Sequence, residues 1–253
     1  MPSTDEDEQE KMLKQLESGS EKTPTPKFSM VKWLDYMVGH DILELFGKTG
    51  FGKSKICSQI AIELSKEGKT VTYYDNELSL SKKGIRALER NTGITYKSNP
   101  DYEQMIKMDL DKIKTDYLII DSTTLYITGR WAFSDMHKRG HMLQMLQWLY
   151  NKIKIWCQKY NKTAIFIAQP ISEMGERQEI APIGDKANFF CKTILKIKAK
   201  RNKTSEKIEN RRIVVFKSRD HPDGTVVSHF KTTATGVIFD QKEQMMKIAT
   251  ETL

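Results

Sequence analysis

Residues 44–61 read ELFGKTGFGKSKICSQIA, and Gly47, Gly52, Lys53 and Ser54 within them satisfy the spacing G-x-x-x-x-G-K-[ST]. In a chain of this composition the pattern would arise by chance about one time in a hundred. Glycines let successive backbone N–H groups converge on phosphate oxygens, and the following helix aims the positive end of its dipole at the same point. On this reading Gly47, Lys48, Thr49, Gly50, Phe51, Gly52, Lys53, Ser54 and Lys55 wrap the phosphates of a nucleoside triphosphate. Lys53 reaches the β- and γ-phosphates, and Ser54 offers its hydroxyl to Mg²⁺. ATP and Mg²⁺ are therefore the expected cofactors.

Such a loop needs acidic partners. YLIID, residues 117–121, is a short apolar run that ends in Asp121, whose carboxylate is placed to hold Mg²⁺ through water. Hydrolysis also needs a group that orients and polarises the attacking water. Glu77, in YYDNE at residues 73–77, is the candidate, and Asp75 is its local competitor.

These side chains require a sheet to position them. Apolar runs at 42–46 (ILELF), 70–75 (TVTYYD), 116–122 (DYLIIDS) and 163–169 (TAIFIAQ) read as strands. Helical patterns lie between them: residues 53–68, stopped by Gly68, then SLSKKGIRALERNTG, then Met142, Leu146, Leu149, Ile153 and Trp156 in steps of four and three. Strand and helix in alternation predict a parallel sheet covered on both faces. The last third differs. Residues 192–198, 211–217 and 225–231 read as strands joined by polar turns, one of them HPDG at 221–224. The expected fold class is α/β, a mostly parallel central sheet flanked by helices and extended at one edge by antiparallel C-terminal strands.

With 253 residues there is room for one large or two small domains with a real core. Residues 1–26 carry seven acids and three lysines, a balance of −4, so the remainder carries +12 of the overall +8. We divide the chain into an acidic, disordered tail and linker over 1–27 and a core over 28–253. A basic body suits a polyanion such as DNA or RNA. No apolar run approaches the roughly 18 residues of a membrane span. The opening residues do not form a secretory signal. Cys57, Cys157 and Cys191 are widely separated and contain no C-x-x-C pair, so no zinc or disulfide framework is expected. The expected location is intracellular, cytoplasmic or nucleoid-associated.

Taken in order, these segments resemble the RecA-type P-loop ATPase core, most nearly the archaeal RadA and RadB recombinases, over most of residues 40–240. FGKTGFGKSKICSQIA is similar to their phosphate loop and helix. YYDNE is similar to a segment whose glutamate is the family's catalytic base. YLIIDS, AIFIAQP, PIGDKANFFCKTILKI and RRIVVFKSRDHPDG complete the set. PIGD stands where the family prefers PIGG. RadA carries a helical DNA-binding domain ahead of this core, where only the acidic segment stands here, so the likeness is nearer to RadB.

The resemblance implies further roles. Gln169 would sense the γ-phosphate. Lys217 and Arg219, a K-x-R pair at a strand end, would reach the γ-phosphate held by the next subunit, so activity would require assembly as a filament or ring. Single-stranded DNA would meet the loop at 127–141, through Arg130, Trp131, Lys138 and Arg139, cations for phosphates and an aromatic for stacking. A second loop, 171–188, offers only Arg177 and Lys186. The charge-dense stretch 196–212 reads equally as a DNA-tracking surface or a solvated hairpin. The expected function is a slow, DNA-dependent ATPase acting in recombination or repair, with a recombinase or replication protein as a further partner. Two alternatives stand beside it. One is a ring-forming helicase, since residues 73–88 and 217–230 also resemble segments of DnaB-type helicases. The other is a non-catalytic accessory paralog that uses ATP as a structural clamp.

Overall fold

The computed structural model describes residues 29–98, 102–124, 136–172, 179–180, 187–202, 207–234 and 236–240. Their centre is a nine-stranded sheet, beside which Ile171–Ser172 (β6) and Glu179–Ile180 (β7) pair as a separate antiparallel ribbon. Strands β1 (Ile42–Phe46), β2 (Val71–Asp75), β4 (Tyr117–Asp121) and β5 (Thr163–Ala168) are buried at every position. Burial on both faces is why they read as continuous apolar runs rather than alternating ones. They pair in parallel, with β3 (Ile94–Ser98) at one edge and β8 (Thr193–Arg201) beyond β1. The expected antiparallel extension follows as β9 (Ile208–Ser218), β10 (Val226–Thr232) and β11 (Val237–Phe239). The HPDG turn joins β9 to β10, with Gly224 at φ +83°.

Each face has its own core. On one side helices α1 (Met30–Met37) and α2 (Lys53–Lys66) cover Leu43, Leu45, Ile119, Ile165, Ile197 and Ile213. The other face is covered by the 25-residue helix Met136–Tyr160, which buries Leu146, Leu149, Tyr150, Ile153 and Trp156 against Ile120, Phe166 and Ile194. Helix α2 stops as its sequence predicts. Gly68 takes φ +78°, its N–H donates to Ser65 O, and Lys69 N donates to Leu64 O. That pair of bonds is the left-handed glycine cap.

Several short elements escape the sequence patterns, among them α1, β3 and β11. Helix α1 is short and is capped by Ser29, whose Oγ accepts from Lys32 N. Strand β3 is an edge strand, mostly exposed beyond Ile94, and β11 has three residues. Short or half-exposed elements bury too few side chains to produce a period. The tail expected over 1–27 lies outside the described residues. Among those described, no helix is long and apolar enough to cross a membrane.

Candidate nucleotide site

The parallel register brings four strand ends together at one edge. Asp75 pairs with Asp121, Asp121 with Ile167, and Ala168 with Phe46. The phosphate loop leaves β1, Glu77 follows β2, Asp121 ends β4 and Gln169 follows β5. A crevice at the carboxyl ends of parallel strands is where this architecture gathers ligands.

The loop geometry depends on its glycines. Gly50 and Gly52 have φ of +82° and +105°, which L side chains rarely adopt. Gly47 needs its bareness for space, since a Cβ there would lie 3.1 Å from Ile197 Cβ and from Ile197 O. Lys48, Thr49 and Gly50 are exposed, whereas Phe51 and Lys53 are buried. Lys53 folds into the loop, its ammonium donating to Gly47 O at 2.6 Å and Lys48 O at 3.2 Å. Burial lowers its pKa, and Glu77 and Asp121 oppose that shift. Lys55 points elsewhere: its ammonium donates to Thr233 O at 2.6 Å, tying α2 to the end of β10.

Asp121 is fully buried. Its Oδ2 accepts from Tyr73 OH at 3.0 Å, while Ser79 Oγ lies 3.1 Å from it and 2.8 Å from Ser54 Oγ. Oδ1 has no hydrogen-bond partner among the described residues. Desolvation first, then the charges of Asp75 and Glu77, pushes Asp121 up to about 6 against the hydrogen bonds from Ser54 and Tyr73. A buried carboxylate with an idle oxygen, beside a serine hydroxyl and opposite a lysine, is a donor set that suits a hydrated divalent cation.

Glu77, the candidate read from the sequence, and Asp75, its local competitor, stand in different surroundings. Asp75 is fully buried; its Oδ1 accepts from Ser79 N at 3.2 Å and its Oδ2 from Tyr96 OH at 3.0 Å. It braces the turn after β2. Glu77 is partly exposed, and its Oε1 accepts from Ser122 Oγ and, at 3.0 Å, from Gln169 Nε2. Ser54, Asp121, Glu77 and Gln169 are thus gathered around Lys53. Ser79, Tyr73 and Ser122 belong to the same cluster and were not singled out beforehand. They join it through the β2–β4 register, a non-local pairing that no local spacing announces.

Lys217 and Arg219 lie at and just past the end of β9, set back from the phosphate-loop level: Lys217 stands level with Glu44 of β1 through Ile194, and Arg219 N donates to Lys192 O. Lys217 pairs with Ile194, near the start of β8, whereas the phosphate loop meets β8 at Ile197. Three residues of strand separate the two levels, roughly 10 Å. Both cations are exposed. Arg130 and Trp131 lie outside the described residues, as do the side chains of Lys138 and Arg139, and also Arg177 and Lys186. The stretch 196–212 takes in most of β8 and the first part of β9, with 203–206 outside the described residues. Lys196, Lys198 and Lys200 alternate with buried Leu195 and Ile197, and with Arg212 and His229 they line an open trough of about 920 Å³ that reaches Lys48 and Phe51.

The RecA N-terminal domain family matches residues 35–242. The DNA repair and recombination protein RadB of Methanococcoides burtonii is 25% identical over 227 residues, 83% of this chain and 96% of that protein. RecA of Malacoplasma penetrans is 27% identical over 59% of this chain and 48% of its own length, and RecA of Campylobacter jejuni 25% over 74% and 53%. The chain therefore spans about half the length of these RecA proteins. A crystal structure of the RadB recombinase shares the fold, with a TM-score of 0.58 at 18% identity over 79% of this chain and 91% of that one. A phosphate loop closed by Ile197, with the ends of β2, β4 and β5 converging on it, stands within a match covering most of the molecule: the chain belongs to the RecA N-terminal domain family.

Proposed function

We propose that this chain is a recombinase-like, DNA-dependent ATPase that holds ATP and Mg²⁺ between subunits and binds single-stranded DNA in recombination or repair. The observation that carries the reading is the division of charge between two levels of one sheet. One end of the parallel strands gathers Lys53, Ser54, Asp121, Glu77 and Gln169; Lys217 and Arg219, exposed at the end of β9, stand at strand levels set back from that end.

In this reading Mg²⁺–ATP supplies the transferable phosphoryl group and the charge that polarises it. Ser54 and Asp121 would hold the metal, the latter through its idle Oδ1. The loop amides and the Lys53 ammonium would cradle the phosphates. Glu77, held by Ser122 and Gln169, orients a water and accepts its proton. Gln169 couples that carboxylate to the loop at 171–188 that follows it. Lys217 and Arg219 complete the site of the adjoining copy, where a cation arriving in trans is worth roughly 10³ to 10⁵ in rate. DNA is assigned to the segment 127–141, through Arg130, Trp131, Lys138 and Arg139; the last two fall in the first turns of the helix Met136–Tyr160 and not in the loop the sequence suggested, and the trough of Lys198 and Arg212 is a further basic surface.

The test is ATPase rate against protein concentration, with and without single-stranded DNA. A rate per subunit that rises with concentration and again with DNA supports the reading. Background turnover under all conditions points to the nucleotide-clamp paralog, and strand separation on a forked duplex points to the helicase.

A further inference from the structure

One buried acid has no part in this chemistry. Glu44 lies in the middle of β1, fully buried, beside Phe166 of β5 and Ile194 of β8. An aliphatic residue there would avoid the cost of burying a carboxyl, so packing does not account for it. Tyr150, from the helix Met136–Tyr160, donates its hydroxyl to Glu44 Oε2 at 2.8 Å, and the Cys191 thiol lies 3.8 Å from the same oxygen. Glu44 Oε1 has no hydrogen-bond partner among the described residues.

From Tyr150 a line of buried hydroxyls runs to the nucleotide site. Tyr150 OH lies 3.1 Å from Thr123 Oγ1, which donates to Ile167 O at 3.3 Å. Thr124 Oγ1, the next residue's hydroxyl, accepts from Gln169 N at 2.9 Å and donates to Ser122 Oγ at 3.3 Å. Ser122 and Gln169 are the two donors that hold Glu77. Ser122, Thr123 and Thr124 are all fully buried, so water cannot substitute for a lost link.

We propose that Glu44 is a positioning residue for the hydrolytic end of the site, acting through the Tyr150 and Thr123 hydroxyls on the backbone that carries Ser122, Thr124 and Gln169, and so on the aim of Glu77. The inference rests on the nucleotide-site reading above. The proton count along the line gives it two states. With Glu44 neutral, its proton goes to Tyr150, Tyr150 donates to Thr123, and Thr123 donates to Ile167 O, two residues before Gln169. With Glu44 ionised, Tyr150 must donate to the carboxylate, and Thr123, no longer receiving that hydrogen bond, divides its own donation between Tyr150 and Ile167 O. Burial pushes Glu44 up to about 7, so both states are populated near neutrality. The groups facing it are Tyr150 from the long helix and Cys191 ahead of β8, both held neutral because burial raises their pKa values well above normal. Phe166 and Ile194 bring no charge. Lys154 and Asp41, on the same side of the sheet, are paired with each other at 3.1 Å.

The test compares the full chain with Glu44→Gln and Tyr150→Phe. Affinities for ADP and for a non-hydrolysable ATP analogue are measured at saturating Mg²⁺ from pH 6.5 to 9. Their ratio reports contacts to the γ-phosphate alone and needs no turnover. In the native chain the ratio falls about threefold as pH rises through neutrality. Glu44→Gln, whose amide donates at every pH, holds the low-pH ratio throughout. Tyr150→Phe is flat and low, and ADP affinity is the same in all three. A Glu44→Gln ratio that follows the native curve, or an equal loss for both nucleotides, overturns the proposal. So does a flat native ratio, even though nucleotide then binds and the site reading stands. If the native chain binds neither nucleotide better than Lys53→Ala does, the site reading fails and takes this inference with it.

Discussion

The sheet contains two regions built on different rules. In β1, β5, β4, β2 and β3 every strand points the same way, so every strand end meets the same crevice. In β9, β10 and β11 direction alternates, and functional ends fall on alternate edges. The parallel region accumulates groups in one place. The antiparallel region sets Lys217 and Arg219 back from that crevice, exposed to solvent. On the proposed reading, a single sheet with both pairings carries a socket and a plug about three residues of strand apart.

Breaking the plug without touching the socket gives the largest effect. Arg219→Ala is expected to lower DNA-stimulated turnover by about 10³ while leaving ATP affinity nearly unchanged. Mixing it with Glu77→Gln should restore part of the rate, because a junction between the two contributes one intact site; absence of any restored rate would place the arginine's action in cis. Breaking the socket comes next. Lys53→Ala removes a buried cation aimed into the loop, and ATP affinity by titration calorimetry should fall by about 100-fold, near 2.7 kcal/mol.

A smaller effect of opposite sign tests whether Asp121 is built for a cation. Its folded pKa is raised to about 6, so the folded state holds its proton longer than the unfolded state does. The apo protein should lose stability as pH rises from about 4 to 6 and then level off. Asp121→Asn should therefore raise apo stability at pH 7.5 by on the order of 2 kcal/mol, read as a higher denaturant midpoint, while abolishing Mg²⁺-dependent nucleotide affinity. An unchanged midpoint would remove the idea of a carboxylate held at a cost. The smallest change lies at the extension's edge. Val237→Ala, 5% exposed in β11, should cost about 1 to 2 kcal/mol and leave nucleotide affinity untouched.

The two regions were also unequally legible. The phosphate loop is a local pattern, and β1, β2, β4 and β5 announce themselves by continuous apolar runs, so Lys53, Ser54 and Asp121 could be found by reading along the chain. What distinguishes the surroundings of Asp75 from those of Glu77 could not be seen that way. It depends on Tyr96, one strand over, and on the Ser79 amide, which together occupy Asp75. Ser122 and Thr124 stand beside Asp121 in the sequence, yet their part appears only once β5 lies alongside and brings Gln169 to them. Chemistry written within one segment is visible early; chemistry written across strand registers is not.

The contact between Gly47 and Ile197 has a consequence for anyone who would cut this molecule down. The wall behind the first glycine of the loop is contributed by residues 150 positions later, and Gly52 leans in the same way on Thr232, whose methyl would lie 3.2 Å from an added Cβ. A truncated fragment ending after β5 would keep every residue of the motif and lose the surface it is moulded against. Such a minimal fragment is expected to retain the recognisable signature and not the grip.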